Sequence, residues 1–277
     1  MTKKTLARRI TAGSAGLLLA AGLSAGQANA QISHEGREIR DQNDNEWSIT
    51  TLYGRSFLNQ GRQDWDDLDI EALGRPIPEL IIGLRSIARH REDDTDVLYD
   101  TSLAFFPLEV LELHWGLTLT PGADFSPRQI HNFGIEWRAS WLVSLLFDLE
   151  RLNYSAGPVD QYTQGITFWF TDDDKTYLSS EYTYGRAFHD RYFDAVNFKM
   201  TVGLPKDHKL RFGYYHGKQP EQDPAVPGTL LLTSDIVSAY YQLPLGEHVE
   251  LIMGLEYEDL RNIYDRSTAT FGVTTRF

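Results

Sequence analysis

The chain has 277 residues, with 26 Lys and Arg against 39 Asp and Glu, no cysteine, 12% aromatic residues and a formal net charge of −13. Without cysteine there are no disulfide staples, thiol nucleophiles or Cys-ligated metal sites, and an acid excess of this size repels nucleic-acid phosphate rather than collecting it. A disordered acidic chain is excluded too, because 6 Trp, 14 Tyr and 14 Phe supply ample surface to bury.

At the N-terminus, Lys3, Lys4, Arg8 and Arg9 precede an apolar stretch from Ala12 to Leu23, followed by the small residues Ala28-Asn29-Ala30. This order predicts a secretory signal over residues 1 to 30, cut after Ala30. The Arg8-Arg9 pair runs into Ile10-Thr11-Ala12 and lacks the usual twin-arginine continuation, and the missing cysteine rules out a lipoprotein anchor. Cleavage leaves 22 basic side chains against 39 acidic ones, a net charge of −17. Residues 31 to 46, including His34, Glu35, Asp41 and Asp44, read as a short polar periplasmic leader. No later apolar run approaches the ~18 residues of a membrane-crossing helix. Two classes survive: a soluble exported protein, or an outer-membrane barrel whose alternating strands escape hydropathy averages.

From Trp47 onward the apolar period is two. Leu111, Leu113, Trp115, Leu117 and Leu119 point one way, and Glu112, His114, Gly116, Thr118 and Thr120 point the other. The same alternation runs through Trp141 to Glu150, Val196 to Leu204, Val249 to Glu258 and Thr268 to Phe277. Soluble strands average about five or six residues, whereas these alternate over lengths suited to crossing a bilayer at a tilt. The predicted strands are 47–58, 66–74, 78–91, 94–106, 109–121, 129–139, 141–154, 159–171, 175–188, 192–204, 208–217, 230–243, 247–261 and 267–277. Short turns are expected to alternate with longer outer connections such as Pro121 to Arg128 and Lys218 to Thr229, the latter with Pro220, Pro224 and Pro227. The second strand carries the weakest pattern, and without the first two the count falls to twelve. The expected fold is therefore an all-β, transmembrane, antiparallel up-and-down barrel of fourteen strands, alternatively twelve, over residues 47–277.

The polar faces place Arg85, Arg89, Asp100, Glu112, His114, Glu136, Arg138, Asp148, Glu150, Glu181, Lys199, Lys209, Arg211, Glu250, Glu256 and Arg276 in the interior. Acids gather in strands five to nine and thirteen, bases in strands three, ten and eleven, and the acidic excess favours cations. Aromatics near strand ends (Trp47, Tyr53, Tyr99, Trp137, Trp141, Tyr154, Phe170, Tyr184, Tyr192, Tyr215, Tyr241, Tyr257, Tyr264 and Phe277) read as interfacial girdles. A sugar-stacking track needs inward rings, and by this alternation only Tyr177, Tyr215 and Tyr240 supply them.

The segment Ile49-Thr50-Thr51-Leu52-Tyr53-Gly54-Arg55-Ser56-Phe57, the Ser155-Ala156-Gly157-Pro158 turn, Tyr182-Thr183-Tyr184-Gly185-Arg186 and the terminal Thr270-Phe271-Gly272-Val273-Thr274-Thr275-Arg276-Phe277 carry a resemblance. Together they resemble the YaiO-type outer-membrane β-barrel family. Thr270, Gly272, Thr275 and Phe277 are similar to the signal read by the barrel-assembly machinery, although Thr275 stands where that signal prefers a hydrophobic residue. The family implies a surface-exposed outer-membrane protein with no established catalytic set, so none is carried over.

Three functions follow as expectations. The first is a small pore or uptake channel for small polar or cationic solutes. The second is a filled barrel with a surface or envelope-interaction role. The third is an outer-membrane lipid hydrolase or protease using His114 with Glu112, or His189 with Asp190 at the mouth; His90 and His216 also lie near strand tops. The run Asp172-Asp173-Asp174 reads as a solvated turn rather than a calcium loop. No cofactor, metal or nucleic acid is expected. The expected partners are outer-membrane lipid and lipopolysaccharide, with the assembly machinery during insertion; the sequence leaves the oligomeric state open and is compatible with a monomer.

Overall fold

A computed structural model describes residues 47–59, 64–91, 93–171, 175–187, 191–222, 229–261 and 264–277. Its strands are β1 (Trp47–Leu58), β2 (Trp65–Ile77), β3 (Leu80–Arg91), β4 (Asp94–Leu108), β5 (Leu111–Leu119), β6 (Gln129–Arg138), β7 (Val143–Tyr154), β8 (Gly157–Trp169), β9 (Tyr177–Ala187), β10 (Arg191–Gly203), β11 (Lys209–Gln222), β12 (Thr229–Pro244), β13 (Val249–Leu260) and β14 (Tyr264–Arg276). Each pairs antiparallel with the next, and β14 returns to β1, closing the barrel. Closure gives β1 and β14, the ends of the strand order, each other as partners, so neither is left as a free edge strand. The predicted signal and leader lie outside the described residues.

The expectation of fourteen strands holds, and the twelve-strand alternative falls on β2. That strand has 13 residues and pairs with β1 from Trp47↔Gly74 to Ser56↔Trp65. Its pattern is weak in sequence because Asp67, Asp69 and Glu71 occupy the inward positions, leaving Leu68 and Ile70 to carry the exposed apolar face.

Both ends of the described barrel meet at one rim, here the proximal rim, where Phe277 N–H donates to Trp47 O at 2.8 Å. Outward positions are apolar around the wall, with Ile49, Leu84, Trp115, Phe133, Phe147, Phe198, Phe212, Leu255 and Phe271 all exposed. Trp47, Trp137, Trp141, Phe170 and Phe277 ring the proximal rim, and Tyr53, Tyr99, Tyr184, Tyr192 and Tyr257 ring the distal one. The girdle assignment fails for Tyr264, which is buried on the inward face, and for Tyr154, which packs against an inward apolar cluster. Tyr177, Tyr215 and Tyr240, the rings that alternation turns inward, are all buried, which takes Tyr215 out of the girdle. At strand ends the alternation phase rests on few neighbours, so the facing of Tyr154 and Tyr264 is hard to read.

The expected contrast between short turns and long outer loops is not general. The distal connection between β7 and β8 is Ser155-Ala156 alone, while the proximal one between β8 and β9 spans 170–176. Much of the expected loop from Lys218 to Thr229 is also strand, paired Lys218↔Thr233 through Gln222↔Thr229. Polar residues and Pro220 disguise the end of a hairpin which, among the described residues, pairs only with itself beyond Gly217.

Candidate functional site: the barrel interior

Alternation sends every second side chain inward. All sixteen charged residues singled out from sequence stand at inward strand positions, with Arg138, Asp148, Lys199 and Arg211 half-buried and the rest buried. Sequence reading missed Asp67, Asp69, Glu71, Arg75, Asp96, Glu258 and Arg266, which also face in. The signal was available in the every-second-residue spacing of Trp65, Asp67, Asp69 and Glu71.

One side of the interior is filled by paired charge. Arg85 Nε donates to both Asp69 oxygens at 2.9 Å, and Nη2 reinforces the contact. The register sets Glu71 and Asp100 opposite Arg85 on the flanking strands, and Thr118 donates to Asp100 at 2.8 Å. Across β13 and β14, Arg266 lies 2.5 Å from Glu258 and 3.8 Å from Glu256. Arg276 donates to Glu250 at 3.1 Å, and Ser234 to Glu258 at 2.7 Å. Pairing is required because an isolated buried ion costs several kcal/mol. Beside these pairs, Leu52, Leu73, Ile81, Ala104, Phe106, Tyr240 and Ile252 form a buried apolar cluster.

On β5 to β7, Glu112 and Glu136 stand directly opposite in register, each 0% exposed. His114 does not serve Glu112 as its main partner, as the catalytic reading required. Its Nδ1 is 3.9 Å from Glu112, while Nε2 bonds Asp148 across the intervening strand. Gly134 makes this reach possible: a Cβ there would strike both the imidazole and the Asp148 carboxylate. Among the described residues, no group of three or more His, Cys, Asp or Glu is arranged to hold a metal ion.

The other side of the interior is wetter. Asp148, Thr163, Gly165, Thr183, Asn197, Lys199, Arg211, Gly213 and Ser238 face inward yet stay half-exposed. The register joins them into one strip through Asp148↔Thr163↔Thr183, Gly165↔Glu181↔Asn197 and Lys199↔Gly213↔Ser238. Lys199 Nζ donates to Glu181 at 3.0 and 3.1 Å, and Asn197 to the same carboxylate at 3.1 Å. Thr163 and Thr183 hydroxyls share a hydrogen bond of 2.8 Å. Small and polar residues here leave space that the arginine pairs occupy opposite.

Toward the distal mouth, the connection between β5 and β6 folds inward, burying Phe125. Asp96 holds it by accepting N–H bonds from Asp124 at 2.9 Å, Phe125 at 3.2 Å and Ser126 at 2.6 Å. Arg91 lies over both Trp65 (4.4 Å) and Phe125 (4.9 Å). Replacing Asp96 with Ala strands three donors, at about 1–3 kcal/mol for each one left unsatisfied. Amide exchange over 121–128 should accelerate strongly in that variant while the strands stay protected; unchanged exchange would refute the anchoring role.

On the outer surface of the distal rim, Asp235 receives His216 at 2.6 Å and Arg261 at 3.0 and 2.7 Å. His90 instead contacts Thr95 at 2.9 Å. His189, Asp190 and the Asp172–Asp174 run lie outside the described residues. On β14, Thr270 and Gly272 face inward and Thr275 and Phe277 outward.

No protein-family profile matches the sequence, and no curated protein matches it either. In fold the chain is similar to the CymD monoaromatic hydrocarbon channel, with a TM-score of 0.59 at 8% identity over 93% of this chain and 94% of that one. It is also similar to a bacterial polysaccharide outer membrane secretin, with a TM-score of 0.52 at 8% identity over 85% of this chain and all of that one. The likeness is one of architecture: this chain is a closed, fourteen-stranded antiparallel barrel of the kind that outer-membrane proteins use.

Proposed function

We propose that the protein is an outer-membrane channel that passes small polar solutes, with a preference for cations, along the half-exposed strip of β7 to β12. The single observation carrying this reading is that strip, contiguous in register and lined by Asp148, Thr163, Asn197, Lys199 and Arg211, inside an interior whose other inward residues are mostly buried. Membrane placement rests on the outward wall, whose continuous apolar surface far exceeds what a soluble monomer exposes. The proximal rim then faces the periplasm, the signal is removed after Ala30, and Thr270, Gly272, Thr275 and Phe277 serve recognition by the assembly machinery. Membership of the YaiO-type family belongs to the same proposal, as does a monomer surrounded by lipid and lipopolysaccharide.

The inward wall carries more acids than bases, which supports cation preference. In planar bilayers under a KCl gradient, the refolded protein should show stepwise conductance with a reversal potential on the potassium side. A reversal potential on the chloride side would reject the cation preference. Absence of steps from folded protein would reject the channel and favour the second reading, a filled barrel acting through its surface. The buried Arg85–Asp69 and Arg266–Glu258 pairs are the observation behind that alternative.

A further inference from the structure

The inward wall changes chemistry near the distal mouth. At mid-height β6 to β10 present Asn132, Asp148, Thr163, Glu181 and Asn197, whereas above them the inward residues are Ile130, Leu152, Val159, Ala187 and Phe193, each at most 4% exposed. Ile130, Leu152 and Val159 share one register line. Phe193 lies flat over Gly185, where any Cβ would stand inside its ring. A second apolar cluster, Trp65, Leu260 and Tyr264, belongs to β2, β13 and β14, with Trp65 edge-on to Tyr264 at 5.5 Å.

The β11–β12 hairpin stands between the two. It keeps pairing with itself to Gln222↔Thr229, although pairing of β10 with β11 ends at Gly217 and that of β12 with β13 at Ser234. Leu231 packs on the first cluster and Leu232 on the second. Consecutive strand residues point to opposite sides, so Leu231 and Leu232 put this stretch of β12 in the mouth with one leucine seated in each wall. Apolar inward residues are unfavourable in a wet lumen unless something covers them, and here the cover is a segment that, among the described residues, pairs with no strand outside its own hairpin.

We propose that the cluster of Ile130, Leu152, Val159, Ala187 and Phe193 is an entry subsite for the nonpolar body of a small solute, occupied by Leu231 when no solute is present. This deepens the channel reading and its flux test rests on it. The solute class is a ring carrying a polar or ammonium end. Phe193 and Asn197 are two inward positions apart on β10, about 13 Å, with Ala195 of the buried Ala195, Tyr215 and Ile236 cluster between them, so a solute released from the subsite passes Ala195 to reach the strip that begins at Asn197, Lys199 and Glu181.

The cysteine-free chain makes Leu231→Cys a lone thiol. In liposomes a water-soluble maleimide should label it slowly, and benzylammonium should raise the rate several-fold by displacing the hairpin, while ethylammonium should not. Benzylammonium flux should exceed ethylammonium flux several-fold, and Val159→Ser or Phe193→Ser should abolish that preference while potassium conductance persists. Equal fluxes and labelling indifferent to benzylammonium would overturn the subsite while leaving the channel in place. A labelling response without conductance would support the subsite and remove the channel. Folding of each variant is checked by heat-modifiable migration, and with two independent wall variants the loss of one still leaves a decision.

Discussion

Arg85→Ala should be among the most destabilising single substitutions in the barrel, lowering unfolding free energy in micelles by about 3–5 kcal/mol. The Arg85 and Asp69 side chains are only 6% and 5% exposed, so neither is relieved by water when the other is removed. Deleting the guanidinium leaves Asp69 without its partner and places Glu71 and Asp100 on either side of the gap. Three carboxylates then face one another in a low-dielectric interior, and their repulsion adds to the lost hydrogen bonds. The double variant Asp69→Leu with Arg85→Met removes both charges and fills part of the volume, so it should recover much of the loss, as replacement of whole buried pairs often does. A cost below about 1 kcal/mol for Arg85→Ala, of the size typical for solvent-exposed pairs, would show that this side of the interior is wet.

What the sequence revealed, and what it hid, follows from the range of the interactions involved. Alternation is a local property, so the strand set, the inward facing of residues such as Glu112 and Lys199 and the outward facing of Trp47 and Phe271 could all be read along the chain. Partner choice is not local. Glu112 and His114 lie two residues apart and invite pairing, yet His114 bonds Asp148, 34 positions away, because Gly134 clears the space between them. The division into a filled side and a wet side is likewise a property of the closed barrel, in which long arginines from β3 and β14 crowd one wall while glycine and threonine line the other. The inward loop at Phe125 escaped notice because its anchor, Asp96, is on a different strand and caps backbone rather than a side chain. β2 is legible as a strand although charge weakens its pattern; in the β11–β12 hairpin, charge and proline mask the period, and Lys218 to Gln222, expected in a loop, are strand.

Thr163→Trp should remove most of the conductance while leaving the fold intact. Thr163 sits at mid-height on β8, inward and half-exposed, paired in register with Asp148 on one side and Thr183 on the other. An indole at this half-exposed inward position projects into the space along the strip. The stability cost is confined to the shared hydroxyl hydrogen bond with Thr183, about 0.5–1.5 kcal/mol. Thr163→Val removes the same hydrogen bond without adding bulk, so it should conduct much as the parent does and separates blockage from local weakening. Thr50→Val provides the opposite control: Thr50 is 1% exposed on the filled side and bonds Thr274 at 2.9 Å, away from the proposed path, and should change conductance little. Single-channel recording of the three variants locates the path. If Thr163→Trp conducts like the parent while Thr50→Val lowers conductance, solutes travel along the β1–β14 wall, and the assignment of the passage to β7 through β12 is wrong.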